Sequence, residues 1–86
     1  MRLIFSSKAW DEYLYWQKTD KAVLKRIHFL IKEIMLDSFD GIGKPEPLKH
    51  SLSRYWSRRI TDEHRLVYKV SYASLLIAQI RYHYEY

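Results

Sequence analysis

The stretch His64–His83, HRLVYKVSYASLLIAQIRYH, decides how this chain of 86 residues folds. It is dominated by β-branched, aromatic and leucine residues, and polar residues interrupt them at alternate positions over much of its length. That pattern is typical of β-strands. The predicted strands are His64–Ser71 and Ser74–His83, and the two residues between them, Tyr72-Ala73, suffice only for a tight turn. We therefore expect an antiparallel hairpin.

Two more strands are expected outside this hairpin. Arg54–Thr61 is rich in aromatic and basic residues, and Asp62-Glu63 is predicted to form a tight turn between it and the hairpin. Such short connections between neighbouring strands predict an antiparallel meander. Met1–Phe5 is short, branched and aromatic, and is therefore predicted to be a separate N-terminal strand.

The chain between these strands has the spacing of two helices. Apolar residues recur every three or four positions over Lys21–Leu36, and Trp10–Gln17 has the same spacing. Residues suited to cap the two N-termini are Ser6, Ser7, Thr19 and Asp20. So short a connection predicts an antiparallel helical hairpin. The expected fold is α+β: one domain over residues 1–86, in which the hairpin packs on one face of a small antiparallel sheet.

Alternation along the strands divides the predicted sheet into two faces. The apolar face that meets the helices is predicted to carry Leu66, Tyr68, Val70, Leu76, Ala78 and Ile80. The opposite face then carries Arg65, Leu75, Ile77, Gln79, Arg81 and His83. Adjacent residues point to opposite faces, so either Arg58 or Arg59 joins this second, more polar face. Several cations and a histidine are thereby brought together.

Composition excludes several kinds of protein and site. The chain has no cysteine, which excludes disulfides, cysteine zinc sites and thiol nucleophiles. Its four histidines lack metal-ligand spacing, and its two glycines cannot form a glycine-rich phosphate loop. We expect no metal and no cofactor. No apolar run approaches the roughly 18 residues of a membrane span, and the N-terminus lacks a secretory apolar region, so a cytoplasmic protein without membrane contact is predicted.

Charge is distributed unevenly along the chain. The net charge is +5; residues 44–86 hold eight basic and four acidic residues, against seven and six in residues 1–43. A basic half that is rich in aromatic residues is typical of proteins that bind polyanions, although it also suits a plain soluble surface. Basic residues also follow one face of the second predicted helix. This basic stripe, either an RNA contact or an ordinary solvated face, is Lys21, Lys25, His28 and Lys32.

Glu46 lies between Pro45 and Pro47, so the backbone that carries it is stiff. A carboxylate, arginines and a histidine on one surface could perform phosphoryl chemistry on RNA. The carboxylate would take the proton of a 2′-hydroxyl, arginine would stabilise the phosphoryl charge, and histidine would protonate the departing 5′ oxygen. Taken singly, such a glutamate is more often a solvated turn residue, such a histidine a surface or capping residue, and such an arginine pair part of a charged sheet face.

Four segments together give the chain a specific resemblance. They are Lys44–His50 (KPEPLKH), Trp56–Ile60 (WSRRI), Glu63–Tyr68 (EHRLVY) and Arg81–Tyr84 (RYHY), and the opening Trp10–Gln17 (WDEYLYWQ) agrees with them. In these segments the chain resembles the YoeB-like toxins of the RelE/ParE superfamily of bacterial toxin–antitoxin modules. The resemblance covers nearly the whole chain. The tail departs from it, because two residues, Glu85-Tyr86, extend past the usual His-Tyr ending.

The resemblance implies a ribosome-dependent endonuclease that cuts messenger RNA in the ribosomal A site, and it implies the RelE-like fold. Glu46 would be the general base and His83 the general acid. Arg65 would stabilise the transition state. Arg59 and Lys49 would hold the phosphate. Tyr84 would help to place a base or the terminus.

The resemblance also implies partners. A YefM-like antitoxin would cover the basic face with a segment that is partly disordered when free, and the complex would bind operator DNA through the antitoxin. The free toxin would be a homodimer. Two other functions stay open: a gyrase-directed toxin of the ParE branch, and a module that binds RNA or the ribosome without cutting. The combination of Glu46, Arg65 and His83 favours the endonuclease.

Overall fold

A five-stranded sheet and two helices make up the fold. The protein is described here by a computed structural model of residues 1–84. The elements, in chain order, are β1 (Arg2–Phe5), α1 (Ser7–Thr19), α2 (Lys21–Leu36), β2 (Glu46–Pro47), a 3-10 turn (His50–Leu52), β3 (Trp56–Arg59), β4 (Arg65–Ser71) and β5 (Ser74–Gln79). The strand order is β1-β5-β4-β3-β2. The α+β class and the helical hairpin are as predicted.

Both helices begin where the capping residues predict. Ser6 precedes α1 and its side chain accepts a hydrogen bond from the amide of Ala9, at 3.0 Å. Asp20 precedes α2 and accepts from the amides of Ala22 and Val23, each at 3.1 Å. These side chains satisfy backbone donors that a helix leaves without partners in its first turn. The predicted bounds of α2 are confirmed at both ends.

The sheet is mixed because β1 lies parallel to β5, while the other three pairings are antiparallel. The helical hairpin supplies the long connection that a parallel pairing requires. Glu46–Pro47, expected as part of a stiff segment, adds a fifth strand at the opposite edge. The last strand ends at Gln79 and not at His83. Beyond Gln79, side chains take over the backbone groups of Ile80, as described below.

A β-bulge changes which residues of β5 face the helices. Val67 lies opposite Gln79 but Tyr68 lies opposite Ile77, so Ala78 is an extra residue in β5. The bulge reverses the alternation, and the prediction that Leu75 and Ile77 share a face with Gln79 is therefore wrong. The core between the helices and the sheet is formed mainly by Ala9, Trp16, Val23, Leu24, Ile27, Leu30, Ile31, Ile34, Ile60, Leu66, Tyr68, Leu75, Ile77 and Ile80.

Arg58 is fully buried on the helix-facing side of β3. Its guanidinium donates to the carbonyls of Asp37, Asp40 and Ile42 in the loop after α2, and its Nε to the Tyr68 hydroxyl. Burial raises the pKa of the Tyr68 phenol, although Arg58 acts against that rise. One buried arginine thus ties the loop that leads into β2 to the centre of the sheet.

Gly43 lies where the same loop passes closest to β3. Its φ is +92°, and a Cβ there would lie 3.0 Å from Leu30 Cδ2 and 3.1 Å from Arg58 Cβ. Its carbonyl accepts from the amide of Arg59 at 2.7 Å. Glycine satisfies both the left-handed backbone and the close approach. Over residues 1–84, neither helix is both long and apolar enough to cross a membrane.

Candidate active site

Glu46 lies on the face of the sheet that is turned away from the helices. It pairs with Ser57 of β3, Ser57 pairs with Val67 of β4, and Val67 pairs with Gln79 of β5. Residues directly opposite one another in a sheet share a face. Glu46 is exposed at the end of this row. Its edge position leaves the carboxylate accessible while the backbone is fixed by strand pairing.

Arg59 and Arg65 lie directly opposite each other on this face, next to the row that begins at Glu46. The prediction that either Arg58 or Arg59 joins the polar face is confirmed, and the residue is Arg59. Arg59 is exposed and Arg65 is half-buried. Like charges facing each other across two strands are destabilising unless something neutralises them. The pair therefore forms a site suited to an anion.

The Arg65 guanidinium is oriented by the turn between β3 and β4. Its Nη1 donates to the carbonyls of Thr61 at 2.7 Å, Asp62 at 3.0 Å and His64 at 3.2 Å. Strand spacing and rise put the Cα atoms of Glu46 and Arg65 roughly 12 Å apart, two strands across and two residues along. Long side chains from both residues can meet a phosphodiester between them.

The segment after β5 is anchored to α1 through Ile80. Trp16 Nε1 donates to the Ile80 carbonyl, and the Ile80 amide donates to Glu12 Oε1, both at 2.8 Å. Burial raises the pKa of the Glu12 carboxyl, partly offset by the hydrogen bond from Ile80 and by nearby cations. These contacts explain why β5 ends before Ile80. Side chains of α1, and not a neighbouring strand, satisfy the backbone amide and carbonyl of Ile80.

Two more side chains carry the anchoring on to His83. His64 Nδ1 accepts from the amide of Tyr82 at 2.7 Å. The Gln79 amide donates to the carbonyls of Arg81 and His83, both at 2.8 Å. His83 is exposed beside a polar cavity of about 390 Å³ whose lining is Lys8, Glu12, Gln79, Arg81, Tyr82 and His83. Gln79 lies at the far end of the row that begins at Glu46, three strands away, so this contact holds the backbone of His83 beside that end of the row.

The other predicted site residues fall into two groups. Lys49 is exposed three residues beyond Glu46, just before the 3-10 turn, and Tyr84 is half-buried directly after His83. The basic stripe is exposed on α2, which packs on the other face of the sheet. One of its members, His28, lies with Nε2 2.8 Å from the Tyr13 hydroxyl. The stripe is therefore separate from the residues gathered around Glu46.

Sequence reasoning placed Gln79 on the polar face without a role, and it missed Glu12, His64 and Arg58 as supports. Their partners are backbone groups of remote segments, which no local spacing reveals. Within the described part of the chain, no three His, Asp or Glu side chains gather into a possible metal site. The two residues of the C-terminal extension, Glu85-Tyr86, lie outside the described residues.

Comparison with known proteins gives consistent matches over almost the whole chain. The model of the YoeB-like toxins of bacterial type II toxin–antitoxin systems matches residues 5–84. Toxin YoeB of Escherichia coli K12 is 63% identical over 84 residues, which are 98% of this chain and 100% of that protein. Toxin YoeB of Streptomyces coelicolor is 56% identical over 84 residues, again 98% and 100% of the two chains.

Solved structures agree with this match. A YoeB/ParE toxin from Agrobacterium tumefaciens has a TM-score of 0.95 at 46% identity, covering 98% of this chain and 100% of that one. YoeB in the heterotetrameric YoeB–YefM complex of Staphylococcus aureus has a TM-score of 0.90 at 46% identity, covering 98% of both chains. YafQ from E. coli, with a TM-score of 0.79 at 18% identity, shares the fold alone. The chain belongs to the YoeB-like toxins of bacterial type II toxin–antitoxin systems.

Proposed function

We propose that this toxin is a ribosome-dependent endoribonuclease that cleaves messenger RNA in the ribosomal A site and so stops translation. The observation that carries the proposal is the facing pair Arg59 and Arg65, on the same sheet face as Glu46. Two cations that repel each other suit a surface that binds a phosphodiester. Glu46 at the edge then supplies a base, and His83 at the end of the anchored segment supplies an acid.

In the proposed reaction, the Glu46 carboxylate takes the proton of a ribose 2′-hydroxyl and the 2′ oxygen attacks the adjacent phosphorus. Charge accumulates on the non-bridging oxygens, where the Arg65 guanidinium stabilises it with its planar donors. His83 gives its proton to the departing 5′ oxygen. The bond from phosphorus to the 5′ oxygen breaks as the bond to the 2′ oxygen forms. The products end in a 2′,3′-cyclic phosphate and a 5′-hydroxyl, and no metal or cofactor takes part.

The neighbouring residues would hold the RNA in place. Arg59 faces Arg65 and Lys49 follows Glu46 closely in the chain, so both can hold phosphate oxygens around the reacting one. Tyr84 adjoins His83, and its ring is suited to stack on a base or to hold the end of the chain. The basic stripe on α2 lies on the other side of the molecule from these residues. We assign it a contact with ribosomal RNA, distinct from the scissile codon.

The proposed cellular partner is a YefM-like antitoxin. Related toxins of S. aureus form YoeB–YefM complexes, one of them heterotetrameric. The basic face around Arg59 and Arg65 suits an antitoxin segment that combines acidic and apolar residues and that orders on binding. Operator DNA would be bound only through that complex. Another S. aureus structure is a YoeB dimer, and a homodimer is proposed for the free toxin too, in the cytoplasm.

The deciding experiment is single-turnover cleavage of messenger RNA on a programmed ribosome with excess chelator, after metal has been removed from the toxin and the ribosomes shown to remain intact. We expect cleavage to persist and the fragments to carry a 2′,3′-cyclic phosphate and a 5′-hydroxyl. Glu46→Gln and His83→Gln should each slow the chemical step by about 10²–10⁴-fold while leaving ribosome binding nearly unchanged. Glu33→Gln, the same kind of change on α2, is the matched control.

Each of the other outcomes indicates a different mechanism or a different cellular target. Loss of cleavage on chelation, or a 5′-phosphate on the product, would indicate a metal-activated water and would contradict the scheme. Primer extension after brief induction in cells tests the biology. Discrete breaks inside translated codons support ribosome-dependent cleavage, damaged DNA with intact messenger RNA indicates a gyrase-directed toxin, and growth arrest without either indicates a module that binds without cutting.

A further inference from the structure

We infer that Gln79 is the positioning residue that sets the place of His83. The inference rests on the proposed function, in which His83 is the general acid. Gln79 Nε2 donates to the carbonyl of His83 itself and to that of Arg81, both at 2.8 Å. Other contacts hold the segment at Ile80 and at Tyr82, whose amide donates to His64 and whose carbonyl accepts from the Arg65 amide at 3.0 Å. Gln79 is thus a side chain that binds the backbone of the acid residue itself.

The orientation of the Gln79 amide follows from its surroundings. Nε2 faces two carbonyl oxygens, which can only accept, and Oε1 lies 3.3 Å from the Nζ of Lys8, which can only donate. A reversed amide would put oxygen against two carbonyls and nitrogen against an ammonium. Lys8, from the start of α1, thus holds the amide in the orientation that binds the segment.

The segment needs such a contact because its backbone is strained. Tyr82 has a φ of +61°, in the left-handed region that a residue with a Cβ seldom adopts. Such a conformation persists where surrounding contacts over-determine it. Here the contacts lie on either side: His64 accepts from the Tyr82 amide, and Gln79 binds the carbonyls before and after Tyr82. Without Gln79, the contacts of Tyr82 with His64 and Arg65 remain, but the carbonyls of Arg81 and His83 lose their donor, and the exposed His83 can move from its position.

The test is a double-mutant cycle between Gln79 and His83. Gln79→Met keeps the length of the side chain but removes both donors. We expect it to slow single-turnover cleavage by about 10²-fold, the usual cost of a misplacement on the order of 1 Å, with little change in the ribosome concentration that gives half-maximal rate. In a His83→Gln background, the same change should cost less than about threefold, because the acid that Gln79 positions is already absent.

A modified substrate separates positioning from general damage. Sulfur in place of the 5′ bridging oxygen leaves without needing a proton, so it removes the demand for a general acid. We expect Gln79→Met and His83→Gln to cleave this substrate at rates close to that of the parent toxin. Gln79→Glu, which loses the donors but keeps the shape, should behave like Gln79→Met. Gln17→Met, the same substitution on the exposed face of α1, controls for the side chain, and thermal unfolding checks that each variant is folded.

Several outcomes would overturn the inference. If Gln79→Met cleaves like the parent while His83→Gln is slow, Gln79 does not position the acid and the proposed function stands. If the losses from Gln79→Met and His83→Gln simply multiply in the double variant, or sulfur fails to rescue Gln79→Met while rescuing His83→Gln, Gln79 acts elsewhere. If His83→Gln cleaves at the parental rate, the acid role fails, which is the separate failure of the proposed function.

Discussion

Replacing Arg58 by Met tests whether one buried guanidinium holds the loop that presents Glu46. The methionine can occupy much of the volume of the arginine stem, so the substitution mainly removes hydrogen bonds. In the folded protein, Arg58 donates to three loop carbonyls and to the Tyr68 hydroxyl, at distances that include 3.0 Å to Ile42 and 2.9 Å to Asp40. The adjacent Arg59→Met, on the opposite face of the same strand, is the matched control.

The expected loss of stability follows from those contacts. Each carbonyl left without its donor costs about 1 kcal/mol where water can partly replace the arginine, and more where it cannot. For three carbonyls we expect the free energy of unfolding to fall by about 3 kcal/mol. A domain of this size has a total stability of about 4–13 kcal/mol, so the change is large. At a urea dependence of about 1–1.5 kcal/mol per molar, the unfolding midpoint should fall by about 2–3 M.

Urea unfolding measures the stability, and hydrogen exchange locates the effect. The Arg59 amide, bonded to the Gly43 carbonyl at 2.7 Å, should exchange faster in Arg58→Met than in the parent, at a urea concentration where both are folded. Arg59→Met should change the unfolding free energy by less than about 0.5 kcal/mol, as is usual for an exposed position. An Arg58→Met protein that is as stable as the parent, with this amide equally protected, would refute the role given to the guanidinium.

Two further predictions concern the helices. Replacing the lysines of the basic stripe by Ala should weaken ribosome binding and reduce the slope of log affinity against log salt by about 2–3, because fewer counterions are released; the changes are Lys21→Ala, Lys25→Ala and Lys32→Ala. An unchanged slope, relative to the exposed Lys18→Ala on α1, would make the stripe an ordinary solvated face. Glu12→Gln keeps an acceptor for the Ile80 amide but cannot ionise. Because burial raises the pKa of Glu12 in the folded protein above its ordinary value of 4.5, the parent should lose stability relative to Glu12→Gln as pH rises from about 4.5 through that raised pKa. A constant difference in unfolding free energy across this range would contradict the burial effect.

Local signals in the sequence were enough for the helices. The bounds of α2 follow from apolar spacing and from the capping residue Asp20, whose hydrogen bonds reach only two and three residues along the chain. The turn at Tyr72-Ala73 is equally local, because two strands joined by two residues have one way to pair. In each case the interactions that decide the structure lie within a few residues of the pattern that predicts them.

Non-local choices could not be predicted in the same way. Composition predicts that β1 is a strand, but it does not show that its neighbour is β5, whose paired residues lie 72 positions further on, nor that the two run parallel. The bulge at Ala78 leaves no mark on composition, yet it decides that Leu75 and Ile77 pack in the core while Gln79 turns to the polar face. Its effect on the site is large, because Gln79, the residue after the bulge and the last of the strand, binds the carbonyls of Arg81 and His83.

Arg58 and Arg59 show the same limit at the scale of two residues. They are chemically identical neighbours, and strand geometry requires only that they point in opposite directions. The carbonyls of the loop after α2 decide between them, since they can satisfy a buried guanidinium on the helix side. The path of that loop cannot be predicted from the sequence. Which of the two arginines is buried on the helix side therefore could not be predicted either.

The facing arginines Arg59 and Arg65 suit both of the proposed ligands of this sheet face, RNA and an antitoxin segment. Arg59 and Arg65 face each other across two strands, and an anion placed between two like charges lowers their mutual repulsion. A phosphodiester of RNA and an acidic side chain of an antitoxin have this in common, so the same free energy would favour either ligand. Binding of one then removes the attraction for the other, and an antitoxin segment over this face would inhibit without any change of fold. In the proposed function, the same two arginines would therefore serve both RNA binding and inhibition by the antitoxin.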